Sequence, residues 1–380
     1  MIPPEQMSSP RQALPFWLSL GTVPMAFLGL GLGGAWVLAL PLYSWTLFTV
    51  LDALTGQNHD NPDPDTPEDE LYLYRLLTMI WFPVQFAVLC FMLWFVPQAG
   101  HLNLVEKICM FIGMGVMSGT IGINYAHELM HQKPRGERWL ADLLLATVLY
   151  SHFRTEHLRV HHLYVGTPRD AVTARYNENF HRFFPRVLRE SWISAFRAEK
   201  AMLARKGLAW HNPGNPFWRY WALQGAMILL ALALGGWLGL ALFILQAFVA
   251  VWQLELTNYV EHYGLTRQHL GEGRYEHALP RHSWNAAHRA TNWLLINLQR
   301  HSDHHYKPDR RFPLLQTYDE DEAPQLPHGY PLMTMAALVP PVWRRVMNPR
   351  VRAWRKRFYP GITDWTDYNK GRTPMPAGAP

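Results

Sequence analysis

The stretch that decides the fold class is residues 222–254, ALQGAMILLALALGGWLGLALFILQAFVAVWQL. It has no charged side chain over 33 positions. About 20 apolar helical residues suffice to cross the roughly 30 Å hydrocarbon core of a bilayer. The pair Gly235–Gly236 divides the stretch into two crossings. A large soluble helical protein would not leave such a run uninterrupted, so the sequence predicts an integral membrane protein.

Further apolar runs of spanning length lie on the N-terminal side of this stretch. The six predicted spans are residues 16–34, 35–54, 73–97, 104–126, 217–235 and 237–260. Glycine pairs join the first two spans and the last two, which predicts two transmembrane hairpins. We expect an all-α fold: one integral-membrane domain over residues 1–380, built as a bundle of six transmembrane helices.

The basic residues are concentrated in two large polar regions, 127–216 and 261–380. Of the 35 Lys and Arg, 14 lie between His127 and Pro216 and 17 between His262 and the C-terminus. The positive-inside rule therefore places both regions, and both termini, in the cytoplasm, as expected for a bacterial inner membrane. Attraction to anionic lipid accounts for much of the formal net charge of +6. No motif predicts a nucleic-acid partner.

Three histidine clusters occur in the polar regions: His127/His131 in HELMH, His157/His161/His162 in HLRVHH, and His301/His304/His305 in HSDHH. Helical residues three or four apart share a face, so His127 should meet His131, and His301 should meet His304 and His305. His262 in NYVEHYG adds a further imidazole. Eight clustered imidazoles exceed what one ion normally binds, so the sequence predicts two metals.

The type of ligand narrows the choice of metal. Imidazole suits zinc, copper, iron and nickel. The only cysteines, Cys90 and Cys109, lie inside apolar runs, which argues against structural zinc and leaves iron or copper as redox-active candidates. Four carboxylates beside the histidines are expected to accept the second ring N–H of these ligands, with ordinary surface carboxylates as the alternative: Glu128, Glu156, Glu261 and Asp303.

The boxes HELMH, EHLRVHH, NYVEHYGL and LQRHSDHH, in this order, resemble those of the membrane-bound alkane hydroxylase (alkane 1-monooxygenase) family of the integral-membrane di-iron fatty-acid desaturase/hydroxylase superfamily. The resemblance runs from about Leu51 to Val351 and includes GRYEHALPRHSWN at 273–285 and DEAPQLPHGYP at 321–331. It implies a di-iron centre that uses O₂ to hydroxylate the terminal methyl of a medium- or long-chain n-alkane.

The same resemblance implies the partners and the ligands. Electrons would come from rubredoxin, reduced by an NAD(P)H-dependent reductase, and no catalytic side chain is expected beyond the metal centre. The implied iron ligands are His127, His131, His157, His161, His162, His262, His301, His304 and His305.

Some features leave other activities open. The family usually has Gly where this chain has Val160, and HHLYVGTP with the Met of HELMH resembles the xylene monooxygenase branch. Methyl hydroxylation of an aromatic or terpenoid hydrocarbon is therefore one alternative, and a fatty-acyl desaturase or hydroxylase is another. A metal transporter would need ionisable residues inside the spans, which are nearly free of them apart from their ends.

Substrate is expected to enter through the helix bundle. Trp45, Phe48, Trp81 and Phe82 are candidates for setting the depth of a channel, with packing or lipid-facing roles as the alternative. A basic stretch follows the last cluster and is expected to bind the donor, since rubredoxins are acidic, or lipid headgroups: Arg344, Arg345, Arg350, Arg352, Arg355, Lys356 and Arg357. The Pro/Gly-rich tail from Gly371 to Pro380 is expected to be mobile.

Overall fold

The chain is described here by a computed structural model that covers residues 2–374, so the last six residues of the predicted mobile tail lie outside it. The structure is mostly helical, as predicted, with one two-stranded antiparallel sheet, β1 (His269–Gly271) and β2 (Arg274–Tyr275). The main helices are α1 (Pro10–Leu32), α2 (Gly34–Thr55), α3 (Glu68–Gln98), α4 (Leu104–His131), α5 (Arg135–Ala146), α6 (residues 153–164), α7 (Phe180–Arg205), α8 (Pro216–His262), α9 (Arg289–Leu294), α10 (His301–Tyr306), α11 (Tyr330–Ala337), α12 (Pro340–Phe358) and α13 (Thr366–Lys370).

Within residues 2–374, five helices are long and apolar enough to cross a membrane: α1, α2, α3, α4 and α8. The longest, α8, has 47 residues and a non-helical backbone at Gly236, with φ 59° and ψ −158°. A Cβ placed on Gly239 would lie 3.2 Å from the carbonyl oxygen of Ala231. Residues eight apart in a straight helix are separated by about 12 Å along its axis. The chain therefore folds back at Gly236, and α8 is a helical hairpin.

Three short connections lie together at one end of the bundle: the α1–α2 turn, the α3–α4 connection and the turn inside α8. The turn between α1 and α2 has positive φ at both Gly33 and Gly34, and the Gly34 N–H donates to the Glu106 carboxylate at the start of α4 (2.6 Å). At the turn inside α8, a Cβ on Gly235 would lie only 2.6 Å from the Leu93 carbonyl oxygen near the end of α3. Glycine permits this close approach because it has no side chain.

The histidines lie at the opposite end of the bundle. Helices α4 and α8 finish at His131 and His262, two of the predicted ligands. The loop between α2 and α3 packs on the same end, where Arg300 donates to the backbone carbonyls of Asn58 (3.4 Å) and Asp60 (3.0 Å). The polar region that follows α8 thus packs on the end of the bundle at which the histidines gather.

Two apolar clusters hold these parts together. The larger one joins the membrane-length helices and α5, and contains fully buried side chains such as Trp81 and Phe111. The second cluster packs α7, the end of α8 and α12 around Tyr259, whose ring lies 5.4 Å from Phe183 and 5.3 Å from Trp343. Burial of these large aromatic side chains fixes the end of α8 that carries His262.

Candidate metal centre

The structure brings the nine predicted histidines together in two groups. In each group every histidine contributes one ring nitrogen, and these nitrogens lie within 4.8 Å of one another. The first group is His127, His131, His157, His162 and His304. The second group is His161, His262, His301 and His305.

The spacing of the nitrogen atoms suits shared metal ligands. His127 Nε2 lies 2.8 Å from the Nε2 atoms of both His157 and His304, and in the second group His305 Nε2 lies 3.0 Å from His301 Nε2. Two nitrogen ligands at about 2.1 Å from one ion, at right angles, would be about 3 Å apart. Each group therefore has the nitrogen donors and the spacing that a metal ion ligated by imidazole requires.

The HH pairs divide between the two groups. Successive helical residues point about 100° apart, so two neighbouring histidines cannot easily face one ion. His161 and His162 accordingly belong to different groups, and so do His304 and His305. The sequence-based expectation that His304 meets His301 at one point is corrected, because His301 pairs with His305 instead.

A π-helical turn sets the pairing within α6. Residues His157–His161 form this wider turn, and His157 Nε2 lies 2.9 Å from His162 Nε2, five positions along the chain. A regular α-helix would place such residues about 140° apart. The wider turn of a π-helix reduces this angle, and short π-helical segments are frequent at functional sites.

Burial tunes the imidazoles for metal binding. Loss of water contact, reinforced by neighbouring rings, lowers the pKa of His157, His162, His301, His304 and His305 well below the usual value. These rings are therefore neutral at pH 7, and the neutral ring is the form that ligates metals.

One of the four predicted carboxylates, Glu261, borders the histidine groups, whereas Glu156 is buried near Asp170. Glu261 Oε2 lies 3.3 Å from His301 Nε2, which is the nitrogen that faces the group, not the outer ring nitrogen. Glu156 is fully buried and neither of its oxygens has a hydrogen-bond partner among the described residues. Burial, together with the nearby Asp170 and Glu255 carboxylates, raises the pKa of Glu156 well above its usual value.

The other two carboxylates contact different groups. Asp303 accepts from Arg310 (2.5 Å), from the Tyr318 hydroxyl (2.7 Å) and from the Gln316 N–H (3.0 Å). These bonds anchor α10, which carries three of the histidines. Glu128 accepts from the Gln132 side chain (3.0 Å), within the same turn of chain.

Asp170 makes the contact that the sequence analysis expects of those carboxylates. It lies 3.0 Å from His161 Nδ1, accepts from the Thr173 hydroxyl at 2.6 Å and is buried. A hydrogen bond from Nδ1–H leaves the Nε2 lone pair of His161 free for a metal. Asp170 lies in the loop after α6, where no helical spacing links it to a histidine, so sequence reasoning had no signal for it.

A cavity connects the histidines with the membrane-length helices. Its lining includes His127, His157 and His301 at one end and Trp45 on α2. Apolar side chains form much of the remaining wall, among them Leu254, Leu294, Leu295 and Leu298. The cavity therefore offers an apolar molecule a path from the helix bundle to both histidine groups.

Of the four predicted channel residues, Trp45 lines this cavity and the other three do not. The Trp45 indole N–H donates to Gln253 on α8 (2.9 Å), which also lines the cavity. Trp81 is fully buried and its indole N–H donates to Gln85 (2.8 Å). Phe48 packs edge-on against Tyr43, and Phe82 stacks on Phe86 within α3.

Comparison with known proteins identifies the family. The fatty acid desaturase family matches residues 102–337. Alkane 1-monooxygenase 2 of Pseudomonas aeruginosa is 39% identical, over 90% of this chain and 89% of its own length. Alkane 1-monooxygenase 2 of Alcanivorax borkumensis is 38% identical, over 92% of both chains. This chain belongs to the alkane 1-monooxygenase family.

A more distant relative lies on the xylene branch. The hydroxylase component of the xylene/toluene monooxygenase of Pseudomonas putida is 30% identical, over 69% of this chain and 70% of its own length. The identity with the alkane 1-monooxygenases is higher and covers more of the chain. The resemblance stated from the four histidine boxes is confirmed, and the alkane monooxygenase assignment is favoured over the xylene alternative.

Proposed function

We propose that this chain is a non-haem di-iron monooxygenase that hydroxylates the terminal methyl group of medium- and long-chain n-alkanes to primary alcohols. The observation that carries the proposal is the cavity between membrane-length helices, which reaches histidines of both groups. Two similar proteins support the substrate class, because they are named alkane 1-monooxygenases.

The donor set fits two iron ions. Nine buried or half-buried imidazoles, without a cysteine among them, face two points with the spacing of shared ligands. An unactivated C–H bond has no dipole for acid–base residues to act on, so the chemistry must come from a cofactor. When bound, the iron pair supplies the activation of O₂ and the insertion of one oxygen atom.

The side chains around the metals hold the ligands in place, orient the substrate and exclude water. Asp170 fixes the tautomer of His161, while the apolar wall around Leu254 and Leu294 keeps water from the cavity and aligns an alkyl chain. Trp45, hydrogen-bonded to Gln253, limits how far that chain extends along the cavity. Trp45→Ala should therefore raise the longest alkane accepted, whereas Trp36→Ala, at an exposed position of the same helix, should not.

The proposed reaction consumes one O₂, two electrons and two protons for each R–H, and yields R–OH and water. We infer a single integral-membrane domain with six spans, the hairpin of α8 providing two of them. The histidine end would face the cytoplasm of a bacterium, with both termini on that side of the inner membrane. Rubredoxin, reduced by an NAD(P)H-dependent reductase, would then reach the metals from the aqueous side.

The test is a product analysis. Membranes that contain the protein should be incubated with n-alkanes of graded length, p-xylene, a monoterpene and an acyl thioester, and the products identified by mass spectrometry. The proposal predicts 1-alkanols as the main products. Preferential oxidation of p-xylene or the terpene, or desaturation of the acyl chain, would contradict it.

A further inference from the structure

A cleft lined by arginines lies on the outer surface behind the histidines, between α6, the following loop and α7. We call it the arginine cleft. Its six arginines are Arg159, Arg169, Arg175, Arg189, Arg197 and Arg205. The single carboxylate in its lining, Glu190, is engaged with Arg186 (3.3 Å).

Most of this positive charge is not neutralised. Arg159 pairs with Glu199 (3.1 Å), but within residues 2–374 the other five arginines form no ion pair. Arg189 and Arg197 on α7 are exposed. A concave surface lined by one sign of charge concentrates its field and attracts a partner of opposite charge.

A single helical segment, α6, separates the cleft from the two histidine groups. Leu158 and Val160 in α6 line the cleft, while their neighbours His157 and His161 face the two groups of ring nitrogens. A helix with its side chains is roughly 10 Å across. A partner in the cleft would therefore lie about one helix diameter from both candidate metal positions.

The aromatic flank of α7, whose composition suits a membrane interface, is a different one. Trp192 and Phe196 stack on each other along another flank of α7 and contact Phe217 at the start of α8. Trp210 and Trp218 continue this aromatic surface, and exposed tryptophans are typical of the membrane interface. The arginine cleft lies off this aromatic flank, which favours a water-soluble partner over lipid headgroups.

We propose that the arginine cleft is the docking surface for a small, acidic, water-soluble one-electron carrier that reduces the metal pair. The proposal rests on the proposed function, which requires two electrons for each O₂ consumed. A one-electron carrier must then dock twice in each turnover, and in each visit it is oxidised while the metal pair gains one electron.

The basic stretch on α12 is less suited to this task. Five of its seven residues contact this chain itself: Arg344 and Arg350 donate to backbone carbonyls, Arg352 donates to Tyr176, Arg355 donates to Asn369, and Arg357 pairs with Asp321. Arg355 is also held between the rings of Tyr176 (4.5 Å) and Trp365 (4.2 Å). We therefore favour the cleft over this stretch as the donor site, and the experiment below compares the two surfaces.

The test compares charge reversal at the two surfaces. One variant carries Arg189→Glu with Arg197→Glu, and the matched variant carries Arg345→Glu with Lys356→Glu on α12, an equal change of charge at exposed residues. Purified rubredoxin serves as the acidic carrier, and the full-length, iron-loaded protein is assayed in nanodiscs. The cleft variant should raise the apparent KM for reduced rubredoxin by about tenfold or more while kcat at saturation is retained.

Two readouts exclude a folding defect. Iron content and hydroxylation driven by a small chemical reductant should match the wild type in the cleft variant. Increasing salt should bring the wild type toward the variant, because the Debye length is about 8 Å at physiological ionic strength and shortens further. The α12 variant should keep the wild-type KM for rubredoxin.

Three outcomes overturn the docking proposal. They are an unchanged KM in the cleft variant, a larger effect in the α12 variant, or weaker retention on vesicles containing anionic lipid with unchanged donor kinetics, which would assign the cleft to the membrane. Failure of the proposed function would look different. The wild type would then make no alkanol even with the chemical reductant, while reoxidation of rubredoxin by O₂ still depended on Arg189 and Arg197.

Discussion

Among single residues, the two HH pairs explain how few helical segments contribute to two histidine groups. His161 and His304 each have a chain neighbour in the opposite group, so α6 and α10 both contribute to both groups. This arrangement couples the two positions mechanically, because movement of either helix displaces ligands of both. A substitution elsewhere, at a histidine without such a neighbour, should act mainly on one group.

His262 is such a residue, and it supplies the first prediction. It is buried at the end of α8 and is one of four imidazoles in its group. His262→Ala should lose about half of the bound iron and at least about 100-fold in hydroxylation, since loss of even an outer partner costs 10–100-fold. Membrane insertion should persist. Elemental analysis and product assays check this, with His211→Ala as the control in an exposed loop.

Normal iron loading in the His262 variant would remove this residue from the candidate ligands. Loss of both irons together would show instead that the two groups bind metal as one cooperative unit.

The second prediction concerns Asp170, which positions His161 without facing the metal site itself. Asp170→Asn keeps the shape of the side chain but removes its charge, and should weaken iron retention and activity by about 10- to 100-fold. Competition with a chelator measures the iron affinity. The exposed Asp309→Asn should behave as the wild type. Equal chelator resistance in the two variants would refute a positioning role for Asp170.

At the scale of elements, the helix pair within α8 depends on one backbone conformation. Gly236 has φ 59° and ψ −158°, a region almost restricted to glycine, and no atom lies within 4 Å of where its Cβ would be. Gly236→Ala should therefore reduce the free energy of unfolding by about 1–3 kcal/mol through strain alone. Thermal unfolding in detergent measures the change.

Gly225→Ala provides the matched control for this third prediction. Gly225 also has open space around its Cβ position, but it lies in the regular helical part of α8. Alanine is favoured over glycine there by about 1 kcal/mol, so this variant should be neutral or stabilising. If both variants unfold alike, the chain reversal at Gly236 is not a strained turn.

At the scale of the whole molecule, the three short connections and the histidine end lie at opposite ends of the bundle. The fourth prediction follows from this separation and from the distribution of Lys and Arg. Reporter fusions after Glu70 and Asn212 should read as cytoplasmic, and a fusion after Ala99 as periplasmic. A periplasmic reading at Asn212 would separate α6 from the cytoplasmic donor and contradict the proposed orientation.

Sequence reasoning could predict the long helices and the three histidine clusters, because apolar runs and histidines at helical spacing leave direct signals, whereas His262 joined the set through the resemblance to the family. It could not predict how the histidines divide, because the π-helical turn at His157–His161 changes the angles that α-helical spacing assumes. Asp170 could not be predicted from the sequence, because its contact with His161 depends on the path of a loop. The sequence could not tell which predicted channel tryptophan faces the cavity. Trp45 lines it and Trp81 is fully buried, and this difference depends on how α2 packs against α8.

The origin of the oxygen atom in the product distinguishes an iron-dependent monooxygenase from every alternative. Purified, iron-loaded protein with a reduced donor should be supplied with an n-alkane under ¹⁸O₂ in ordinary water, and the alcohol analysed by mass spectrometry. We expect a 1-alkanol that carries one ¹⁸O atom and is absent without iron. An alcohol with oxygen from water, an alkene, or full activity in the iron-free protein would contradict it.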